Sequence, residues 1–240
     1  MVFFCEGVKI EKKGEFNMTI NKKDVRLFSY KMTHDSGFAP NPFGGVLTLA
    51  TCKADIRKCK RVDDWLVGFT SEKLNGDKVG DEKLIYLMQI EEKICFEDYW
   101  KNSKYKNKKP NINSQDAIKK TGDNIYMPIV EIPKAYLDYK QLPNYNHNEN
   151  NKENDLMGKY VLVSSNFYYF GANPVVIPNN IKPKVPVGRA RYGWETHDMK
   201  VVKDFLSYIE SKYEKGIYSH PHTWFKNDKS WKNDENYIKS

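Results

Sequence analysis

The chain has little arginine, few cysteines and no long apolar segment. Lysine and arginine together number 39 and aspartate and glutamate 31, which gives a formal net charge of +8 over 240 residues. The only arginines are Arg26, Arg57, Arg61, Arg189 and Arg191. No run approaches the roughly 20 apolar residues of a membrane-spanning helix, and the apolar start at residues 1–5 is too short for a signal peptide. We therefore expect a cytoplasmic protein with no membrane partner.

The cysteines do not have the spacing of a disulfide framework or of a zinc site. Cys52 and Cys59 have no second close pair, and Cys5 and Cys95 stand alone. His220 and His222 lie close together in the sequence, but they match no recognised zinc-binding spacing. We therefore expect small buried thiols, no bound metal and no cofactor.

The common catalytic motifs are absent as well. The sequence contains no P-loop, no GxGxxG, no GxSxG and no kinase signature. A nucleophilic Cys–His pair is compatible with the composition, but nothing in the sequence brings a particular cysteine and histidine together. The catalytic residues are therefore left unassigned.

Aromatic residues, in contrast, are abundant, with 12 Phe, 5 Trp and 16 Tyr. Rings in such numbers build a core, a binding surface or both. Apolar and alternating runs predict strands at 25–32, 46–51, 64–70, 84–94 and 160–164, and helices at 96–102 and near 202–213. Strands come early and the clearest helix late. This order predicts an α+β fold, with a small β-barrel or a strongly curved mixed sheet and flanking helices.

The composition also predicts how the chain is divided. Residues 1–24 are expected to form a flexible tail, in which Met18 offers a second start besides Met1. Residues 25–215 are expected to form a single domain, followed by a C-terminal extension at 216–240. Within the domain, the asparagine-rich stretch at 144–154 has no apolar periodicity, so we expect a disordered loop there.

A loop stiffened by glycine and proline follows the first predicted strand. It contains His34, Asp35, Phe38, Asn41 and Phe43. Asparagine and aspartate can contact the polar edge of a base, while a ring stacks on its face. The alternative is structural, with His34 and Asp35 bonding to the backbone of their own loop.

A run of four rings at 167–170 indicates a pocket. Strand side chains alternate between two faces, so we expect at least one of these rings to face outward or line a cavity. Tyr168 and Tyr169 are therefore candidates for stacking on a base, together with Trp65, and Asn124 is a candidate for its polar edge. We expect the loop at 33–43 and the aromatic run to meet at one pocket.

Basic residues between the second and third strands form a candidate phosphate-binding surface. They are Lys53, Arg57, Lys58 and Arg61. Lysine and arginine bind nucleic acid largely by neutralising phosphates. The expected partner is nucleic acid or a modified nucleotide, and the oligomeric state is left open.

Long segments of the sequence resemble the family called nucleotide-modification-associated domain 2. They are SYKMTHDSGFAPNPFGGVLTLATCKADIRK at 29–58, DWLVG at 64–68, LIYLMQIEEKICFEDYW at 84–100, GDNIY at 122–126 and VLVSSNFYYFG at 161–171. That family resembles the PUA-like superfamily with its EVE, ASCH and YTH relatives. The resemblance implies a small β-barrel that holds a flipped or modified base in an aromatic pocket. It also implies a setting of base modification or phage defence, and it assigns no catalytic residue.

The function predicted from these features is a binding module for a modified or flipped base in nucleic acid, or for a modified nucleotide. Two alternatives stay open. One is an enzyme acting on modified nucleotides or bases, with His34 and Asp35 as an acid–base pair. The other is a protein-interaction scaffold within a modification or defence system.

Overall fold

The computed structural model describes residues 25–224, which form a mixed α+β structure. The predicted tail at 1–24 and residues 225–240 of the predicted extension lie outside the described residues. The strands are β1 (Leu27–Lys31), β2 (Leu47–Leu49), β3 (Trp65–Phe69), β4 (Leu84–Gln89), β5 (Glu92–Cys95), β6 (Tyr126–Pro128), β7 (Tyr139–Gln141), β8 (Tyr160–Ser164), β9 (Phe167–Tyr169), β10 (Trp194–Glu195) and β11 (Gly216–Ile217). The α-helices are α1 (Ala54–Cys59), α2 (Glu72–Asn75), α3 (Phe96–Lys101), α4 (Ala117–Lys120), α5 (Glu149–Leu156) and α6 (Met199–Lys212). Short 3-10 helices cover Ser103–Lys108 and Tyr136–Asp138.

Two sheets form the centre of the molecule. The larger has six strands in the order β10-β1-β3-β4-β9-β11, and the smaller has three in the order β2-β8-β5. The large sheet is mixed, since β1 runs parallel to β3 and β9 parallel to β11, while the other pairs are antiparallel. Within residues 25–224 neither sheet closes on itself. The prediction of a mixed sheet with flanking helices is therefore confirmed, whereas the barrel is not seen.

Both faces of the six-stranded sheet are buried. One face packs against the three-stranded sheet through side chains that include Tyr30, Leu66, Met88, Tyr169, Leu49 and Leu162. The other face packs against α6 through side chains that include Leu27, Trp65, Leu87, Tyr168, Phe205 and Ile209. The outer face of the three-stranded sheet packs against α3 and β6, mainly through aromatic side chains.

Helix α6 forms because its apolar side chains recur at helical spacing. Val202, Phe205 and Ile209 are all buried against the sheet. The Asp198 side chain caps the start by accepting hydrogen bonds from two backbone N–H groups of the first turn. The helix ends before Gly216, which instead opens β11. Although α6 is the longest described helix, no helix within 25–224 is long and apolar enough to cross a bilayer.

The predicted strand at 84–94 is two strands in different sheets. β4 pairs with β3 in the large sheet, whereas β5 pairs with β8 in the small one. The chain changes sheets between them, where Ile90 N–H donates to Asp64 O and Glu91 N–H donates to Val163 O. The continuous apolar run concealed this break, because both strands are covered on at least one face.

The expectation that a ring of the 167–170 run faces outward is wrong. Phe167 and Tyr169 belong to the core between the two sheets, and Tyr168 and Phe170 to the core beneath α6. Side chains do alternate along β9 as expected. All four rings are buried because the sheet is covered on both faces.

The stretch at 144–154 is not a disordered loop. It contains a turn and most of helix α5, whose N-cap is Asn148. This helix has no apolar face of its own, so its sequence alone favours disorder. Tertiary contacts of the flanking His147 and of Asp155 hold it in place.

Residues 216–224 belong to the domain and are not a separate extension. β11 pairs with β9, and Ile217 is buried in the core between the sheets. Thr223 N–H then donates to the backbone oxygen of Asp35. The predicted domain boundary at 215 is therefore wrong for this part of the chain.

Asp35 supports the first loop from inside, so we expect Asp35→Ala to destabilise the fold. The carboxylate is buried and accepts hydrogen bonds from the Tyr169 hydroxyl at 2.5 Å and the His222 N–H at 3.2 Å. Removing it leaves buried donors unsatisfied, which costs about 1–3 kcal/mol. Chemical denaturation measures the free energy of unfolding, with the exposed Asp81→Ala as a control. Equal stability of the two variants would contradict this role.

Candidate functional site

A cleft of about 1040 Å³ lies where the end of β1, the loop after β2 and the segment before α5 come together. Its size matches the upper end of ordinary small-molecule sites. The lining includes Tyr30, Phe38, Cys52, His147, Asp155 and Arg189.

A cysteine, a histidine and an aspartate form a connected chain in the wall of this cleft. The sulfur of Cys52 lies 3.2 Å from His147 Nε2, and His147 Nδ1 lies 2.7 Å from an oxygen of Asp155. Each ring nitrogen therefore has one partner, a nucleophile on one side and a carboxylate on the other. This is the order of nucleophile, base and orienting carboxylate in the triads of cysteine and serine enzymes, so we refer to the three residues as the triad.

Asp155 also joins the imidazole to the backbone of the nucleophile. Its Oδ1 accepts a hydrogen bond from the Cys52 N–H at 2.7 Å, and its Oδ2 accepts one from the Tyr126 hydroxyl at 2.7 Å. The side chain is only 1% exposed, so these bonds are screened little by water. The carboxylate thus sets both the ring orientation of His147 and the position of Cys52.

Arg57 holds the same elements together from behind. It is fully buried, and its guanidinium donates to the backbone oxygens of Cys52 at 2.8 Å, Tyr160 at 2.8 Å and Asp155 at 2.6 Å. These bonds connect the nucleophile loop, strand β8 and helix α5. The prediction that Arg57 binds phosphate is therefore wrong, because its donors are used inside the protein.

The backbone at the nucleophile is strained. Cys52 has φ 54° and Lys53 has φ 40°, both in the left-handed region that non-glycine residues rarely occupy. Each such residue costs on the order of 1–3 kcal/mol, and such strain is concentrated at functional sites. Here it turns the chain sharply between β2 and α1 and places the thiol in the cleft.

The surroundings of His147 favour its protonated form. Burial alone lowers the pKa of the imidazole, but hydrogen bonds to Asp155 and Cys52 and the charges of these groups raise it to about 9. At neutral pH the ring is therefore an imidazolium in contact with the sulfur. A neighbouring positive charge stabilises a thiolate, which is the nucleophilic form of cysteine.

This arrangement is suited to covalent catalysis by the thiol. A thiolate attacks an electrophilic carbon, and the imidazolium supplies a proton to the group that leaves. Among residues 25–224, no group of three or more His, Cys, Asp or Glu side chains is arranged to hold a metal ion.

The rings predicted to sandwich a base are dispersed through the interior. Trp65 and Tyr168 lie in the core beneath α6, and Phe43 and Tyr169 in the core between the sheets. Phe38 alone of the five lines the cleft, where its ring meets the His147 ring edge-on at 5.0 Å. The loop at 33–43 and the run at 167–170 do meet, through Asp35 and Tyr169, but inside the core.

The polar side chains that were predicted to contact a base instead form hydrogen bonds within the protein or lie apart from one another. Asn41 donates to Thr121 O and accepts from Lys108 Nζ, and Asn124 donates to Tyr99 O. His34 lies exposed on the rim of the cleft, with Nε2 3.2 Å from Lys73 Nζ. Asp35 instead bonds inward. His34 and Asp35 therefore do not form the predicted acid–base pair.

The four basic side chains that were predicted to bind phosphate lie in three different environments. Lys53 lines the cleft, whereas Arg57 is buried behind it. Lys58 and Arg61 are exposed outside the cleft lining. Of the predicted phosphate ligands, only Lys53 therefore lines the cleft, and a role for Lys58 and Arg61 at another surface stays a prediction.

The sequence pattern alone does not bring Cys52, His147 and Asp155 together. Cys52 was expected to be a buried apolar thiol, but Cys52 and Cys95 are half-buried and Cys59 is exposed. His147 falls in the stretch at 144–154 that was predicted to be a disordered loop, and Asp155 follows this stretch directly. The available signal was the N-cap pattern at Asn148, which predicts a helix start directly after His147.

If the triad is assembled as described, Cys52 reacts with iodoacetamide much faster than Cys59. The imidazole of His147 stays protonated up to a pH of about 9, so at pH 7 a positive charge lies beside the sulfur. In His147→Gln this charge is absent, and the alkylation rate of Cys52 at pH 7 falls roughly tenfold or more. Mass spectrometry of the alkylated peptides measures both sites, with Cys59 as the internal control. Equal rates for the two cysteines would contradict an activated thiol.

The support from Arg57 can be tested at Gly158. A Cβ at this position would lie 2.5 Å from Arg57 Nη1, so we expect Gly158→Ala to displace the guanidinium and lower both Tm and the alkylation rate of Cys52. Gly188→Ala is the matched control, because a Cβ there meets nothing within 4 Å. Unchanged Cys52 reactivity in a destabilised Gly158→Ala protein would show that Arg57 does not position the nucleophile.

Comparison with known proteins gives one match. Searches of curated proteins and of solved structures found none. The sequence profile of the family described as nucleotide modification associated domain 2 matches residues 24–228, which include the whole triad and the whole described structure. The chain therefore belongs to the nucleotide modification associated domain 2 family.

Proposed function

We propose that this protein is a cysteine-dependent acyl-transfer enzyme that acts on a modified nucleotide or base. The observation that carries the proposal is the continuous path from the Cys52 sulfur through both nitrogens of His147 to Asp155. A thiol with only a structural role needs neither this alignment nor a strained backbone.

The reaction has two stages. The Cys52 thiolate attacks the carbonyl carbon of an amide or ester, and the C–N or C–O bond breaks as His147 gives its proton to the leaving amine or alkoxide. The product of this stage is a thioester on Cys52 and a neutral imidazole. Water or another nucleophile then attacks the thioester while His147 takes up its proton. The acyl group leaves, and the thiolate–imidazolium pair is restored.

Asp155 and Tyr126 support both stages without touching the substrate. The carboxylate accepts the Nδ1–H of His147, which keeps Nε2 directed at the sulfur. It also stabilises the imidazolium that the first stage consumes and the second regenerates. The Tyr126 hydroxyl holds the carboxylate in this orientation.

The nucleotide part of the proposal is supported by family membership and by the lining of the cleft. The family description associates the domain with nucleotide modification. The cleft has room for a nucleotide, and its wall contains the ring of Tyr145, which is 59% exposed. An exposed ring offers a base a surface for stacking.

A module that recognises a modified or flipped base without reaction is the second candidate. The exposed Tyr145 ring favours it, since stacking is the usual means of base recognition. A PUA-like relationship agrees with this candidate, and a base-modification or phage-defence setting agrees with either. A protein-interaction scaffold in such a system is a separate alternative. Its partner is nucleic acid or a modified nucleotide. It differs from the enzyme in requiring no reactive thiol.

Acyl transfer can be tested with p-nitrophenyl acetate as an ester probe. We expect a burst of nitrophenolate that matches the amount of protein, with the acetyl group on Cys52 by mass spectrometry. Cys52→Ala and His147→Gln lose the burst, because the nucleophile or its activation is gone, whereas Cys59→Ala keeps it. Nucleoside monophosphates acetylated on the exocyclic amine then test the substrate class. Binding of these nucleotides with neither burst nor deacetylation would favour the second candidate.

A further inference from the structure

Three lysine or arginine side chains line the cleft without an ion-pair partner among the described residues. Lys73 on α2 has its Nζ 3.2 Å from His34 Nε2. The other two are Lys53, next in sequence to Cys52, and Arg189, on the loop before β10. The neighbouring Arg191 differs, since its Nε donates to Asp55 at 2.7 Å. Within residues 25–224 no ion pair joins Lys53 or Arg189 to a carboxylate.

The position of Lys53 is defined by its surroundings. Its left-handed backbone directs the side chain across the wall of the cleft, where Nζ lies 4.5 Å from the centre of the Tyr30 ring. Burial lowers the pKa of Lys53, the charge of Cys52 raises it, and the positive charge of Arg189 lowers it again. The ammonium is thus partly desolvated. The hydrogen bond from Arg191 to Asp55 places the loop that contains Arg189 beside α1, whose first residue directly follows Lys53.

Two cationic side chains that line one cleft and have no ion pair with a carboxylate favour an anion bound between them. Arginine and lysine together match phosphate, arginine through its planar fork and lysine as a point charge. The carboxylates of the lining at this end, Asp55 and Asp155, already bond to Arg191 and His147, and the other acidic side chains, Glu72 and Asp77, lie near α2. An anionic group is therefore favoured at the end of the cleft that holds the thiol.

We propose that Lys53 and Arg189 form a phosphate subsite beside Cys52, so that the substrate is a nucleotide with its phosphate and not a free base or nucleoside. This inference rests on the proposed function for its position next to the reacting carbon. The phosphate would fix the nucleotide at one end while the modified base presents its acyl group to the sulfur.

Alkylation by two reagents of similar shape separates the subsite from the reactivity of the thiol. Iodoacetate is an anion and iodoacetamide is neutral, so the ratio of their rate constants at Cys52 measures local positive potential. We expect Lys53→Gln and Arg189→Gln each to lower this ratio roughly fivefold, because the ratio cancels any change in the reactivity of the thiol itself. Lys58→Gln, outside the cleft lining, is the matched control and leaves the ratio unchanged.

Calorimetry provides a readout that does not depend on thiol reactivity. In the Cys52→Ser protein we expect cytidine monophosphate to bind more tightly than cytidine, and each charge variant to remove this advantage. Inorganic phosphate tests the anion alone, and a short oligodeoxynucleotide tests whether the phosphate comes from a polymer. Weaker binding of inorganic phosphate or of the oligodeoxynucleotide in both Lys53→Gln and Arg189→Gln supports the subsite.

The possible failures are distinguishable. If Cys52 reacts slowly with iodoacetamide but cytidine monophosphate still binds more tightly than cytidine, the proposed enzymatic function is wrong and the phosphate subsite is retained. Equal affinities for cytidine and its monophosphate, or charge variants that bind like the unaltered protein, would overturn the subsite itself. Because Arg189 is exposed, Arg189→Gln keeps this test valid even if Lys53→Gln alters the strained loop.

Discussion

The buried carboxylate of Asp155 is the interaction on which the candidate site depends. A carboxylate removed from water is stable only if hydrogen bonds and charges replace its hydration. Here the replacements are the Cys52 N–H, the His147 ring and the Tyr126 hydroxyl, with Arg57 Nη2 3.9 Å from Oδ1. These partners come from three separate parts of the chain, at residues 52–57, 126 and 147. Satisfying one buried charge therefore assembles the nucleophile and its base at one point.

The layered packing explains why this assembly occurs at the edge of the small sheet. β2 leads into the loop that contains Cys52, and the neighbouring β8 begins with Tyr160, whose backbone oxygen accepts from Arg57. Both faces of the small sheet are covered, so this edge is held in a fixed position. α5, which has no apolar face, is placed by polar bonds to this edge.

A second polar network shows how structural residues can resemble a binding site. Lys108 is buried and donates to Asn41 Oδ1 and to the backbone oxygens of Asn41 and Val46. Burial lowers its pKa to about 7, although the charge of Asp123 opposes this change. Asn41 was a candidate for reading a base because it lies in a loop of rings and polar groups. Its Oδ1 instead accepts a hydrogen bond from the buried Lys108 ammonium, and this bond holds the loop at 33–43 in place.

The sequence by itself determined the α+β class, the main strands, helices α3 and α6 and the family, because each depends on residues close together in the chain. Alternation and helical spacing are local properties, and so are the family motifs. Only the tertiary structure decided which face of each element is covered, which is why the rings at 167–170 are all buried. It also decided the site, since Cys52 lies 95 positions from His147 and 103 from Asp155. Contacts at such separations arise from the packing of whole elements, and no local pattern records them.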